Sequence, residues 1–220
     1  MTSCDHFLAR GCRALGLDLN VAQRADLCRY YRELDKWSKK MNLVARAPMA
    51  EILTSHFLDS LTLLPHLPSG AFRLLDVGSG AGFPGLVLKT VCPAMQLTLV
   101  EPRAKRVSFL RHIIRTLGLA DSQVVAERLR QDDPDQQEAL GFFEVVTSRA
   151  LASLEDFLPL AEPYCAATGQ VICMKGPRAE AEYEAWLATR GRSSLEKVAT
   201  GHYILPASDR GRHLLIFSRK

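Results

Sequence analysis

The chain has 220 residues, a net charge of +4 and six cysteines that form neither a Cys-x-x-Cys pair nor a metal-binding spacing with histidines. Its length suits one α/β domain with a full core and a modest extension. No apolar stretch approaches the roughly 20 residues of a membrane span. The first six residues also lack the basic and apolar segments of a secretory signal. We therefore expect a monomeric, cytoplasmic protein with six reduced thiols, no metal site and no membrane partner.

The charges are distributed unevenly along the chain. Basic residues cluster at 36–46, 103–115 and 210–220, whereas acidic residues concentrate at 132–138 and 180–184. Separate basic patches suit a surface that follows a phosphate backbone. A solvated surface of mixed charge explains the same pattern equally well, so charge alone leaves both interpretations open.

The N-terminal third is predicted to be helical. Between residues 27 and 41, apolar residues recur at steps of three and four, which indicates an amphipathic helix. A second helix is predicted over 49–64, and the Pro-Ser-Gly segment at 68–70 follows its end. We place a boundary here, between a helical extension at 1–70 and a second domain at 71–220, and expect the two to pack as one globular unit.

From residue 71 onwards, predicted strands and helices alternate. Short apolar runs typical of buried parallel strands lie at 72–77, 96–101, 123–126, 142–148 and 170–174. The predicted helices cover 85–91, 105–117, 154–166 and 180–189, the polar segment 132–140 is interpreted as a loop, and two last strands cover 195–205 and 213–218. This order predicts an α/β fold with a doubly wound, Rossmann-like sheet and an antiparallel last strand, as in class I methyltransferases that use S-adenosylmethionine (SAM).

A glycine-rich loop follows the first predicted strand. Asp76 lies at the end of that strand, and Gly78, Gly80 and Gly82 then allow the backbone to turn sharply and approach a ligand closely. Sheets of this kind bind ligands beyond the carboxyl ends of their strands. The loop is therefore the predicted cofactor site.

The second predicted strand ends in an acidic residue, Glu101, which lies 19 residues after Gly82. A carboxylate at this place accepts hydrogen bonds from the ribose hydroxyls of an adenosine cofactor. The spacing of Gly80, Gly82 and Gly85 also fits the dinucleotide fingerprint, so an NAD-dependent oxidoreductase is an alternative. Three features favour SAM: the acid at position 76, a glycine register that starts directly after the strand, and the antiparallel end of the sheet.

The residues that other methylation chemistries require are missing or misplaced. The sequence has no Asp/Asn-Pro-Pro-Tyr tetrad, which disfavours methylation of adenine N6. Methylation of carbon 5 of a pyrimidine needs a cysteine nucleophile. Cys92 and Cys165 are predicted to lie late in helices, and Cys173 lies inside an apolar strand, so all three are interpreted as packing residues.

Cations mark the ends of two later strands. Arg149 ends the fourth predicted strand, and Lys175 and Arg178 follow the fifth. A site with cations and no evident general base suits an acceptor such as guanine N7, which carries a lone pair and no proton, so that transfer needs alignment above all. An ion pair of Arg149 with Asp76 or Glu101 is an alternative that is compatible with this role.

Ordered segments along nearly the whole chain resemble the bacterial 16S rRNA guanine-N7 methyltransferases, the glucose-inhibited division protein B family. The segments with this resemblance are Trp37-Ser38-Lys39-Lys40-Met41-Asn42-Leu43, His56-Phe57-Leu58-Asp59-Ser60-Leu61, the glycine loop 76–85, Lys105-Arg106-Val107-Ser108-Phe109-Leu110, Ser148-Arg149-Ala150, Lys175-Gly176 and Arg212-His213-Leu214. Each segment alone is modest, but their order and spacing are specific.

The resemblance implies SAM as cofactor and 16S rRNA or the small ribosomal subunit as partner, with guanine 527 in standard rRNA numbering as the acceptor. It implies catalytic roles for Arg149 and Lys175. The residues implied to bind the cofactor are Asp76, Gly78, Gly80, Gly82, Phe83, Glu101, Leu129, Arg130 and Arg149. The chain departs from the family at 127–130, where Glu-Arg-Leu-Arg replaces the usual Gly-Arg-Ala-Glu and removes an acidic side chain from the expected adenine pocket.

Several cations are candidates for contact with RNA phosphates. They are Lys39, Arg46, Arg103, Lys105, Arg106, Lys175, Arg178 and Arg212. His56 is interpreted as the partner of Asp59, which lies one helical turn away. A non-catalytic nucleotide-sensing or RNA-binding module with the same fold is a further alternative.

Overall fold

A seven-stranded sheet forms the centre of the computed structural model, which describes residues 3–149, 152–191, 193–206, 208 and 211–220. The strands are β1 Arg73–Val77, β2 Gln96–Val100, β3 Ser122–Val125, β4 Phe143–Arg149, β5 Cys165–Lys175, β6 Leu195–Ile204 and β7 Gly211–Arg219. Their order across the sheet is β3-β2-β1-β4-β5-β7-β6. The first five are parallel, and β7 runs antiparallel to both of its neighbours. The predicted sheet with its antiparallel last strand is confirmed.

Helices cover both faces of this sheet. They are α1 Ser3–Ala14, α2 Val21–Met41, α3 Met49–Ile52, α4 Asp59–Leu61, α5 Gly85–Val91, α6 Ala104–Leu117, α7 Pro134–Leu140, α8 Leu154–Ala161 and α9 Ala179–Thr189. A π-helical turn, Leu53–Leu58, joins α3 to α4, and short 3-10 turns cover Leu64–His66 and Glu162–Tyr164.

Two predicted boundaries are wrong, each for a local reason. The segment interpreted as a polar loop contains α7, because Asp133 caps it by accepting the backbone N–H of Gln136 at 2.9 Å and Pro134 suits the first turn. The helix predicted to reach residue 166 ends at Ala161, and β5 already begins at Cys165. Cys165 is therefore a strand residue rather than a helix terminus.

The two faces of the sheet belong to two apolar clusters. Alternate side chains of β1 separate them, since Leu74 packs with the N-terminal helices and Leu75 packs with α8 and α9. Tyr30 of α2 is fully buried at the first face, donates its hydroxyl to the carbonyl of Ala81 and stacks on Phe83 with ring centroids 5.8 Å apart. The N-terminal helices thus pack directly against the glycine loop.

A disulfide joins α1 to α2. Cys4 and Cys28 form it with their Cα atoms 5.9 Å apart, which contradicts the expectation of six reduced thiols. The other four cysteines are free, and burial raises the pKa of Cys173 to about 12 and that of Cys12 to about 11. The pairing depends on how two helices pack, so spacing along the sequence did not reveal it.

No helix in the described part of the chain combines the length and apolar character that crossing a bilayer requires.

Candidate active site

The glycine loop lies at the carboxyl end of β1. The strand order reverses at this strand, since β2 and β3 lie on one side of β1 and β4 and β5 on the other. Gly78, Gly80 and Gly82 have φ angles of 71°, 59° and 92°, a region that favours glycine. The N–H groups of Gly78 and Ser79 both donate to the carbonyl of Val100, at 2.9 and 3.1 Å, which ties the loop to the end of β2. A Cβ at position 82 would also collide with the hydroxyl of Tyr30, so the turn requires glycine there.

Asp76, near the end of β1, holds the glycine loop through a hydrogen bond to its last residue. Its side chain is fully buried, and Oδ2 accepts the backbone N–H of Gly85 at 2.9 Å. Burial raises the pKa of Asp76 to about 7, although the hydrogen bond from Gly85 opposes this shift. Oδ1 is buried and bonded to no atom among the described residues. A buried acceptor without a partner beside a glycine loop fits a ligand with a positively charged amino group, such as the methionine end of SAM.

Glu101 follows β2 and lies under the same loop. It is only 2% exposed; Oε2 accepts the N–H of Gly80 at 3.0 Å, and Oε1 accepts the N–H of Arg103 at 2.9 Å. Arg106 lies 3.5 Å from Oε2. Each carboxylate oxygen has a second lone pair, so the side chain keeps the capacity to accept further hydrogen bonds, such as those of ribose hydroxyls.

Two neighbouring cavities open at this edge of the sheet. The smaller, about 500 Å³, is lined by Glu101, Leu129 and Leu160. The larger, about 740 Å³, is lined by residues of the π-helical turn and of three strand ends, including His56, Asp59, Phe83, Arg149, Lys175 and Arg212. Gly78, Arg103 and Arg106 line both cavities, so the two cavities meet at the glycine loop and the start of α6.

Arg149 is held by the N-terminal helices rather than by the acids of the loop. Its Nη1 donates to the carbonyl of Ser55 at 2.7 Å and lies 3.3 Å from Asp59 Oδ2. Its Nη2 lies 2.8 Å from Nδ1 of His56, and the guanidinium sits 5.0 Å from the centre of the Phe83 ring. The suggested ion pair with Asp76 or Glu101 is therefore wrong, because the π-helical turn brings Asp59 closer.

Asp59 joins three parts of the chain, and the sequence analysis did not assign it this place. The carboxylate is 3% exposed, and it accepts the hydroxyl of Tyr203 at 3.1 Å besides its contact with Arg149. Arg212 Nε lies 3.4 Å from Oδ1, the same oxygen that accepts the Tyr203 hydroxyl. The pair predicted between Asp59 and His56 is not formed, since His56 bonds Arg149 instead. Only the motif around His56 hinted at this cluster.

Lys175 lines the larger cavity, but its ammonium is already bonded. Nζ lies 2.7 Å from Glu182 of α9 and donates to the carbonyl of Ala152 at 2.6 Å. The side chain is 10% exposed. Its predicted catalytic role is not tested by these contacts.

Comparison with known proteins identifies the family. The model of the rRNA small subunit methyltransferase G family (GidB) matches residues 23–204. The chain belongs to this family. A ribosomal RNA small subunit methyltransferase G from Desulfotalea psychrophila is 44% identical over 95% of both chains, and one from Myxococcus xanthus is 40% identical over 97% of this chain and 96% of that protein.

Solved structures of other methyltransferases have the same fold as this member of the rRNA small subunit methyltransferase G family. A ribosomal protein L11 methylase from Lactobacillus delbrueckii subsp. bulgaricus superposes with a TM-score of 0.57 at 16% identity, covering 76% of this chain and 79% of that chain. A TehB-like SAM-dependent methyltransferase from Corynebacterium glutamicum has a TM-score of 0.53 at 14% identity, covering 88% and 99%. These likenesses show the fold. With the family match, they confirm a class I methyltransferase whose cofactor is SAM, and the NAD-dependent alternative is wrong.

The two residues predicted for the adenine pocket of the methyltransferase lie in different surroundings. Leu129 is buried and lines the smaller cavity, and its contact with the cofactor stays a prediction. Arg130 lines neither cavity. Its guanidinium lies 2.6 Å from Asp133, and its backbone N–H donates to Gln136 Oε1 at 2.9 Å. Arg130 therefore closes the start of α7 instead of facing the cleft.

The predicted RNA-binding cations of the methyltransferase form an inner and an outer group. Arg103, Arg106, Lys175 and Arg212 line the larger cavity. The remaining four are exposed: Lys39, Arg46, Lys105 and Arg178. Among the exposed cations, Lys39 pairs with Asp35 at 2.8 Å. Ala150 of the predicted Ser148-Arg149-Ala150 segment lies outside the described residues. No group of three or more potential metal ligands occurs among the residues that the structure describes.

Proposed function

We propose that this methyltransferase transfers the methyl group of SAM to N7 of a guanine in 16S rRNA, free or within the small ribosomal subunit, and that this guanine is position 527. The proposal rests on family membership and on one observation. The larger cavity, which is the acceptor side in this proposal, presents hydrogen-bond donors, and its buried carboxylate, Asp59, is already occupied by two arginines and a tyrosine, while its other acidic residue, Glu51, is exposed.

Guanine N7 suits such a site because it needs no base. When bound, SAM supplies a methyl group on a sulfonium, which the N7 lone pair attacks while the carbon–sulfur bond breaks. No proton leaves the acceptor in this step, so the chain has to provide alignment and a dry, ordered wall. An acceptor such as a ring N–H or an exocyclic amine would require an unoccupied proton acceptor at the reacting atom, and the buried Asp59 does not provide one.

Most of the predicted cofactor and catalytic residues have a role in this proposal. Gly78, Gly80, Gly82 and Phe83 form the cradle for the cofactor, Glu101 accepts its ribose hydroxyls and Asp76 accepts its amino group through Oδ1. Arg149 fixes the wall of the acceptor side through its bonds to Ser55 and His56. Lys175 lines the same cavity, with its ammonium held by Glu182 and by the carbonyl of Ala152.

The outer cations bind the RNA backbone in this proposal. Lys39, Arg46, Lys105 and Arg178 are exposed, and Arg103, Arg106 and Arg212 lead from the surface into the acceptor cavity. Phosphate contacts of this kind position the RNA without reading its sequence. The affinity that they provide falls as the salt concentration rises. We therefore expect RNA affinity, but not SAM affinity, to fall steeply with ionic strength.

Calorimetry and methyl transfer together test the proposal. SAM and S-adenosylhomocysteine are expected to bind the purified chain and NAD is not, and Glu101→Gln is expected to weaken SAM binding because the ribose loses a charged acceptor. Labelled SAM should then methylate unmodified 16S rRNA or small subunits to give N7-methylguanosine. A label on another atom, or on no RNA despite tight SAM binding, contradicts the proposal.

A further inference from the structure

His56 occupies a defined position in the wall of the acceptor cavity. It lies in the π-helical turn Leu53–Leu58, and turns of this rare kind occur frequently at functional sites. Its ring stacks on Phe83 of the glycine loop, with centroids 4.9 Å apart and an angle of 18° between the planes. Phe83 in turn stacks on Tyr30. The imidazole is thus held between the loop and Arg149, and it lines the larger cavity.

Arg149 determines which nitrogen of His56 carries the proton. A guanidinium only donates hydrogen bonds, so Nδ1, 2.8 Å from Arg149 Nη2, must be the acceptor. The ring proton is therefore on Nε2, which bonds to no atom of the described residues. Burial, followed by the charges of Arg149 and Arg212, lowers the pKa of His56 to about 3. The ring is a neutral, single donor at physiological pH.

Such a donor matches the one feature that separates guanine from adenine near N7. Both purines present N7, but guanine carries the acceptor O6 beside it, whereas adenine carries the N6 amino donor. We propose that Nε2–H of His56 donates to O6 of the acceptor purine and thereby selects guanine over adenine. This inference rests on the proposed function, and it makes His56 a specificity-determining residue and Arg149 the residue that positions it.

Two other donors of the wall, Arg149 and Lys175, suit this role less well. Arg149 uses Nη1 for Ser55 and Asp59 and Nη2 for His56, and Lys175 is bonded to Glu182 and Ala152. Methylation at N7 also leaves a positive charge on the purine. A neutral imidazole does not oppose that charge as it develops, whereas a free cation at O6 would.

The wild-type enzyme provides the first test. We would compare 16S RNA, assembled by splinted ligation and used alone and in reconstituted subunits, with guanosine, inosine or 2-aminopurine riboside at the acceptor position. Inosine keeps O6 and N7, whereas 2-aminopurine keeps N7 and lacks O6. We expect inosine to be methylated nearly as well as guanosine, and 2-aminopurine to have a kcat/KM at least about tenfold lower. Equal kcat/KM values for guanosine and 2-aminopurine would overturn the inference.

Two substitutions form a matched pair for the second test. His56→Asn keeps an acceptor near Nδ1 for Arg149 but removes the donor at the Nε2 position, whereas His56→Gln places an amide donor near that position. We expect His56→Asn to lose about tenfold in kcat/KM on guanosine RNA and almost nothing on 2-aminopurine RNA, while His56→Gln keeps the preference. RNA affinity in the presence of S-adenosylhomocysteine, without turnover, should change in the same direction.

A purely structural role gives a different result, because His56→Asn would then lower kcat/KM equally on guanosine RNA and on 2-aminopurine RNA. That outcome, or an unchanged preference in His56→Asn, refutes the role of His56. The identity of the product separates the two proposals. Wild-type product that contains no N7-methylguanosine refutes the proposed function, whereas N7-methylguanosine formed without dependence on O6 refutes only the inference about His56.

Discussion

Asp59→Asn is expected to destabilise the fold strongly, although Asp59 lies outside the apolar core. It preserves the size of the side chain, but it removes the charge between Arg149 and Arg212 and turns an NH₂ group toward at least one donor. The distances from the carboxylate to these guanidiniums are 3.3 and 3.4 Å, and Tyr203 donates a third bond at 3.1 Å. The change therefore leaves two cations near each other without their shared anion.

The magnitude follows from burial. At an effective dielectric constant of about 20, one ion pair at about 4 Å is worth about 4 kcal/mol, but burying the carboxylate costs several kcal/mol in return. Removing one partner of a buried pair usually costs about 3–5 kcal/mol. The Asp59 side chain is 4% exposed, whereas Arg149 and Arg212 are 17% and 21% exposed, so water partly solvates the cations that remain. We expect the low end, about 3 kcal/mol.

Urea unfolding at neutral pH measures this loss. The control is Asp35→Asn, which removes the pair with Lys39. That pair is shorter, at 2.8 Å, but its side chains are 43% and 66% exposed. We expect the control to change the free energy of unfolding by less than about 0.5 kcal/mol. A loss below about 1 kcal/mol for Asp59→Asn, or one no larger than the control, would refute the argument from burial.

Three further predictions follow from the site. Gly85→Ala places a Cβ 2.7 Å from Asp76 Oδ2, so we expect about 1–3 kcal/mol of destabilisation and weaker SAM binding in calorimetry; unchanged affinity contradicts this. Unfolded His56 takes up a proton below its ordinary pKa of 6.5, whereas the folded ring stays neutral down to about pH 3. Wild-type stability should therefore lose about 2 kcal/mol more than that of His56→Asn between pH 7 and pH 5, and parallel urea profiles of the two proteins would refute it. Cys173→Ala should retain methyl transfer, because burial raises the pKa of this thiol to about 12 and keeps it from acting as a nucleophile; loss of activity in a folded variant would contradict its packing role.

Local sequence patterns were enough to predict most of the helices and strands. The helix predicted over 85–91 is the observed Gly85–Val91, because a glycine loop, a proline and an apolar run mark its start and course within a few residues. The helix Pro134–Leu140 was missed because its residues are polar and give no apolar stripe; an N-cap and a proline form it instead. The π-helical turn was predicted only as part of an ordinary helix, since side-chain periodicity does not distinguish hydrogen-bond registers this close to each other.

In the site, the positions of residues at strand ends were predictable from the sequence, whereas their side-chain partners were not. The places of Gly78, Glu101 and Arg149 were predictable, because the ends of parallel strands meet at one edge of the sheet. The partners of Arg149 were not, since Asp59 lies 90 residues earlier in the chain and reaches it only through the packing of the N-terminal helices. The same applies to Cys4 and Cys28, which are 24 residues apart and on different helices.

Mapping the methylated nucleotide tests the central claim most directly. Mass spectrometry of 16S rRNA from a strain without this gene, complemented with the wild-type chain or with Arg149→Ala, would locate the mark. The account predicts that one N7-methylguanosine, at guanine 527, disappears on deletion and returns with the wild-type chain, but returns weakly or not at all with Arg149→Ala. Unchanged N7-methylguanosine in the deletion strain, or restoration of a methyl group on a different atom, would contradict it.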